Sequence, residues 1–115
     1  MSSAPFVKRR MYPRFPIDAR ISITSAGSPQ PICGRTLVIS EAGVSALLPA
    51  ELTENDLVEL EFALPASNRP VRSRVIIRSR SGPCYGFEFV TLSARERADI
   101  LDFCATVSAA TPRAG

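Results

Sequence analysis

The chain has 115 residues, 45% of them hydrophobic and 22% charged, with 14 Lys and Arg against 11 Asp and Glu and no histidine. That composition supplies one hydrophobic core and excludes both a disordered chain and a second domain. Without histidine there is no imidazole general base, no Ser-His-Asp triad and no His-containing zinc site, so most ordinary enzyme readings fall.

Residues 1–17 hold few apolar anchors, and their prolines disfavour regular structure, so they read as a flexible arm. Arg20 to Thr24 alternates with period two and is closed by Ala26-Gly27-Ser28-Pro29, a strand followed by a turn. Pro31 to Ile39 gives a second strand and, after the break at Glu41-Ala42-Gly43, Val44 to Leu48 gives a third. The clearest alternation is Leu57 to Leu64, with Val58, Leu60, Phe62 and Leu64 on one face and Glu59 and Glu61 on the other.

A fifth strand, Val71 to Arg80, sets Val71, Ser73, Val75 and Ile77 against Arg72, Arg74, Ile76, Arg78 and Arg80. Ser81-Gly82-Pro83 turns the chain into a sixth, Cys84 to Val90. Six short strands with tight turns predict a small antiparallel barrel or sandwich. The period then changes. Ser93-Ala94-Arg95-Glu96 has the form of a capping box, and Ile100, Phe103, Cys104 and Val107 share one helical face, with Asp99, Asp102 and Thr106 opposite. One helix therefore closes the domain, which spans residues 18–108, and residues 109–115 form a frayed tail.

Charge is blocky. Lys8, Arg9, Arg10, Arg14, Arg20 and Arg35 precede a run of acids from Glu41 to Glu61, and a second basic block follows from Arg69 to Arg80. Two basic blocks around an acidic one suggest a focused anion site. The acids lack the spacing of a calcium loop, and the three cysteines are in no C-x-x-C pattern, so no metal site or disulfide framework is expected. No apolar run approaches the ~18 residues of a membrane helix, which with the thiols points to a soluble, cytoplasmic protein. The arginine stripe on the fifth strand lacks interleaved aromatics for base stacking and reads as a solvated face, which disfavours a nucleic-acid partner.

Arg10-Met11-Tyr12-Pro13-Arg14 places two forked, permanently charged guanidiniums four residues apart outside a helix, able to hold phosphate or stack on a purine. In a chain with thirteen arginines the pair alone is a weak signal. Downstream, Ser40 can offer a hydroxyl at a strand end and Gly43 permits a tight bend and close approach to a ligand, although an ordinary hairpin turn would look the same.

Taken in order, R-x-x-x-R at Arg10 and Arg14, Ser40 and Gly43 of a [D/N]-x-S-x-x-G motif, the alternating Leu57–Leu64 strand, the G-F-E-F-V run at 86–90 and Leu92-Ser93 before the final helix resemble the PilZ domain family, the bacterial receptor module for cyclic di-GMP. The resemblance covers about Arg9 to Cys104. It implies a six-stranded antiparallel β-barrel with an N-terminal arginine arm and a C-terminal α-helix. It also implies a receptor that binds cyclic di-GMP without catalysing a reaction, uses no other cofactor and relays the signal to a protein partner. Arg10 and Arg14 would grip the nucleotide, with Arg9 as a third cation, while Ser40 and Gly43 would line the wall beneath it. Val38 stands where the family pattern has Asp or Asn, so one polar contact to the ligand is missing. Two other classes stay open: a degenerate adaptor that binds a motility or pilus protein without nucleotide, and, less favoured, a small nucleic-acid-binding barrel using the arginine stripe.

Overall fold

The computed structural model of the chain describes residues 13–25, 27, 30–65, 67 and 69–110. Seven strands, β1 (Phe15–Pro16), β2 (Arg20–Thr24), β3 (Ile32–Ile39), β4 (Gly43–Leu47), β5 (Leu57–Ala63), β6 (Pro70–Ser81) and β7 (Cys84–Phe89), precede one helix, α1 (Ala94–Ala110). All pairings are antiparallel, in the order β3, β2, β5, β6, β7, β4, and β4 pairs back onto β3 to close a six-stranded barrel. Alternation dictates the lining. Ile21, Ile23, Val58, Leu60, Phe62, Val71, Val75, Ile77, Tyr85 and Phe87 all point inward and are buried, each stabilising the fold by roughly 1.5–3 kcal/mol relative to exposure.

β1 is the element that the sequence pattern does not signal, because it is two residues long and contains Pro16. It pairs with the end of β3, Phe15 against Ile39 and Pro16 against Val38, while β2 pairs with the beginning of β3, Arg20 against Arg35 and Ile23 against Ile32. β1 and β2 are thus two halves of one wall segment, interrupted at residues 17–19, and Ile17 is buried within the stretch expected as an arm. Proline is tolerated because it sits on an edge strand, where a missing N–H breaks no interior ladder.

The interruption is bridged by Thr36. Its buried hydroxyl accepts from the Ala19 N–H at 2.8 Å and donates to the Ile17 carbonyl at 3.0 Å, and its own N–H donates to the Ala19 carbonyl at 2.9 Å. On the other edge of β3 the ladder to β4 slips by one residue between Thr36 and Val38. That bulge turns Leu37 outward, 37% exposed.

Two further anchors fix the ends of the barrel. The Tyr85 hydroxyl donates to the Ala50 carbonyl at 2.7 Å and accepts from the Leu52 N–H at 3.0 Å, tying the β4–β5 loop to the core. Asn55 holds a left-handed φ of 75° in the turn before β5, a conformation that Asn tolerates better than most residues.

At the other end, the capping box forms as the spacing predicts: the Ser93 hydroxyl accepts from the Glu96 N–H at 3.1 Å and Glu96 Oε1 accepts from the Ser93 N–H at 3.0 Å. The second carboxylate oxygen does something that the motif does not foretell. Glu96 Oε2 accepts from the Arg72 N–H at 3.0 Å, on the edge of β6 that β7 does not reach. One side chain thus caps the helix and docks it on the barrel, and Ile100 and Cys104 bury beneath it. Asp99, expected on the wet helical face, is drawn between Arg69 at 2.8 Å and Arg95 at 2.9 Å.

Burial pushes the Glu96 carboxyl up, but the amides of Arg72 and Ser93, the Ser93 hydroxyl and the Arg95 guanidinium outweigh it and hold the carboxyl below its ordinary value. Glu96 therefore stabilises the fold above the unfolded-chain pKa of about 4.3, and this contribution is lost as pH falls through the lower folded-state value. Glu96→Gln is expected to cost about 1–3 kcal/mol in urea unfolding at neutral pH, with the gap between variant and wild type narrowing at acid pH; a gap that stays constant down to about pH 2 would exclude this linkage.

Candidate functional site

The described site candidates, Arg14, Val38, Ser40 and Gly43, lie where β1, β3 and β4 meet. Phe15 pairs with Ile39, so Arg14 falls one step further along the same register, across from Ser40. Arg14 is exposed, and among the described residues no carboxylate lies within ion-pairing reach of it. Val38 is flanked by Pro16 on one side and Ser45 on the other, and the three share the outer face of the wall. Arg9 and Arg10 lie outside the described residues.

Ser40 begins a turn that largely satisfies itself. Its N–H donates to the Gly43 carbonyl at 2.9 Å and its hydroxyl oxygen accepts from the Ala42 N–H at 3.1 Å, while the Ala42 carbonyl takes the Phe89 N–H at 2.9 Å. An oxygen that already accepts from Ala42 still carries a proton to donate, so the hydroxyl is oriented by the turn rather than consumed by it. Gly43 has a reason of its own to be glycine. It pairs with Glu88 on β7, and a Cβ there would collide with the Phe87 carbonyl. The close approach that the structure shows at Gly43 is one of strand to strand.

The turn also touches the helix electrostatically. Burial pushes the Cys104 thiol up, and the Glu41 carboxylate adds to the shift, which keeps Cys104 a neutral, packed thiol. Cys33 and Cys84 are likewise free thiols.

The second basic block does not join this site. Arg72 meets Glu61 at 3.4 Å, Arg78 meets Glu88 at 2.6 Å and Arg80 meets Glu51 at 3.5 Å, and Arg74 stands directly opposite Glu59 in the β5–β6 register. The acidic and basic blocks of the sequence are thus largely cross-strand neighbours that neutralise each other on the barrel surface. Two concavities, of about 280 Å³ across β2, β5 and β6 and about 450 Å³ between α1 and the β5–β6 loop, lie away from Arg14 and Ser40. Among the described residues no three Cys, Asp or Glu side chains are grouped to hold a metal, and no helix is long and apolar enough to cross a membrane. Sequence reasoning missed Pro16 and Ser45 as neighbours of Val38; only strand register brings them there.

A closed six-stranded antiparallel barrel followed by one C-terminal helix is the fold on which the comparisons with known proteins agree. Residues 8–106 match the PilZ domain, and the chain belongs to that family. Among solved structures it is similar to the Bacillus subtilis inhibitor of motility MotI/DgrA, with a TM-score of 0.79, 18% identity, and 91% of this chain covering 54% of that one. It is similar as well to Escherichia coli YcgR solved in complex with c-di-GMP, with a TM-score of 0.76, 20% identity, and 88% of this chain covering 46% of that one. The PilZ domain of CeSA from a cellulose-synthesizing bacterium aligns over 84% of this chain and 98% of its own, with a TM-score of 0.60 and 15% identity. The chain spans about half the length of MotI and YcgR, and at these identities the likeness is one of fold. No curated protein sequence matches the chain.

Gly43→Ala tests the packing role directly. With backbone rather than a flexible side chain in the way, the barrel must shift, and overpacking of this kind costs roughly 1–3 kcal/mol, read as a lower thermal midpoint in the absence of any ligand. An unchanged midpoint would return Gly43 to a role in ligand approach alone.

Proposed function

We propose that this chain is a non-enzymatic receptor for cyclic di-GMP that relays occupancy to a protein partner. The carrying observation is Arg14, exposed, without an acidic neighbour among the described residues, and set across from the oriented Ser40 hydroxyl on the wall of a PilZ barrel. YcgR, which shares this fold, was solved with c-di-GMP bound, and that supports the choice of ligand. In this reading Arg10 and Arg14 hold phosphate and stack on guanine, Arg9 adds charge, and the nucleotide lies over Val38, Ser40 and the Gly43 turn. A cytoplasmic location follows from the ligand and the free thiols.

Val38 favours a second reading. It is half-buried on the outer face, with Pro16 and Ser45 beside it, and presents only methyl groups where the motif has a polar side chain. A missing contact of this kind weakens binding by roughly 1–3 kcal/mol, about one to two decades. If the arginines do not make up that loss, the chain acts as an adaptor that recognises a protein without nucleotide.

Isothermal titration with cyclic di-GMP separates the two. Arg10→Ala and Arg14→Ala should each weaken binding at least about tenfold, the size of one charge-assisted hydrogen bond, and affinity should fall with salt because the ligand is a dianion. Val38→Asn should tighten binding about tenfold, with circular dichroism unchanged. Identical isotherms for both arginine variants would remove the proposed site, and absence of binding in wild type and Val38→Asn alike leaves the adaptor.

A further inference from the structure

Val38 presents only methyl groups where the family pattern has a polar side chain, but a carboxylate stands close by on the adjoining segment of the wall. Ile17 and Ala19 are buried while Pro16 and Asp18 are exposed, so Pro16 and Asp18 share the outer face. Pro16 pairs with Val38. Asp18 is therefore the diagonal neighbour of Val38 across the sheet, a spacing of roughly 7–8 Å that one planar base can bridge.

This carboxylate is oriented, and half of it is left over. Arg35 donates twice to Asp18 Oδ1, from a terminal nitrogen at 2.6 Å and from Nε at 3.1 Å. Oδ2 receives no hydrogen bond from any described residue, and the Asp18 side chain is 84% exposed. A guanidinium that places both donors on one oxygen fixes the carboxylate and leaves the other oxygen facing solvent. The acid does not make the wall repel an anion. Arg20 stands directly across from Arg35 and has no acidic partner among the described residues, so two guanidiniums surround one carboxylate and the neighbourhood stays cationic.

We infer that Asp18, held by Arg35, is the residue that selects guanine in the bound nucleotide, an inference that rests on the receptor reading above. Asp18 lies four residues beyond Arg14, about 13 Å of extended chain at roughly 3.3 Å per residue. With phosphate at Arg14 and the base across Val38, the edge of the base meets Asp18. An ionised carboxylate only accepts hydrogen bonds. Guanine offers it N1–H and the exocyclic N2–H as adjacent donors, whereas adenine presents an unprotonated N1 that the carboxylate repels. Ser45, the other polar neighbour of Val38, has a hydroxyl that both donates and accepts and so does not choose between the bases. Arg35 is a positioning residue, acting on the ligand through Asp18.

The test is isothermal titration of the whole chain with cyclic di-GMP, cyclic di-AMP and cyclic di-IMP, whose base is guanine without the N2 amino group. Wild type should bind the guanine ligand at least about tenfold more tightly than either of the others, because a buried or engaged acceptor left without its donor is costly. Asp18→Ala should weaken cyclic di-GMP about tenfold and remove most of the difference between the guanine and inosine ligands. Asp18→Asn keeps an oxygen for Arg35 but sets an NH2 donor in place of Oδ2, and should lose guanine preference in the same way. Arg35→Ala should shrink the guanine–inosine difference, a readout that a merely structural ion pair would not move. Circular dichroism verifies each fold, and Asp18→Asn carries the test if Asp18→Ala harms it. Wild type that binds cyclic di-GMP while both Asp18 variants keep its affinity and its preference overturns the inference and leaves the receptor reading standing. A lower thermal midpoint with unchanged preference does the same, and makes the Asp18–Arg35 pair a staple across the interrupted wall. Absence of binding in wild type removes the receptor reading itself and the inference with it.

Discussion

The hydroxyl of Thr36 is the interaction on which the rest of the barrel wall hangs. A strand interrupted at residues 17–19 would leave Ile17 and Ala19 backbone groups unpaired beside the core, at about 1–3 kcal/mol for each buried group left unsatisfied. Thr36 fills the gap with one side chain and its own amide. Because β1 is thereby held on the same edge of β3 as β2, the chain entering the domain is delivered beside Ser40, with Arg14 at the threshold. The bulge one residue later has the opposite effect on the other edge: it lets β3 bend to close on β4 while Val38 still faces outward between Pro16 and Ser45.

Around that wall, several residues that look functional in the sequence carry structural duties. Gly43 serves the contact of β4 with β7, and the arginines of β6 serve cross-strand neutralisation. The site proposed for recognition draws, among the described residues, on an unneutralised arginine, an oriented hydroxyl and an apolar side chain where the family pattern has a polar one. In the proposed receptor, affinity depends on charge-assisted bonds, and these are sensitive to salt and to single substitutions.

The helix shows how local and distant terms combine. Ser93 and Glu96 would cap a helix in isolation, but a capping box fixes only where a helix begins, not what it packs on. The placement comes from the second oxygen of Glu96 reaching the Arg72 amide, on a stretch of β6 that would otherwise present an unpaired edge. Thr91 repeats the device, its hydroxyl oxygen accepting the Arg74 N–H at 3.1 Å. The segment after β7 thus covers the exposed end of β6 and blunts it against edge-to-edge association.

The positions of the six barrel strands, their inward faces, the helix start and the family motif were legible in the sequence, because period-two alternation, the S-x-x-E spacing and the R-x-x-x-R and S-x-x-G residues are properties of neighbours in the chain. Leu57 to Ala63 and Val71 to Ile77 fold as their alternation dictates, and Ser93 and Glu96 bond as their spacing requires. Tertiary structure alone decided that Phe15–Pro16 is a strand, that Gly43 answers to Phe87, that Glu96 reaches Arg72, and that the acids of β5 and β7 neutralise arginines of β6 while Arg14 stays free of them. Each of these depends on register between segments distant in the chain, and register is set by barrel closure, to which no single stretch of sequence has access.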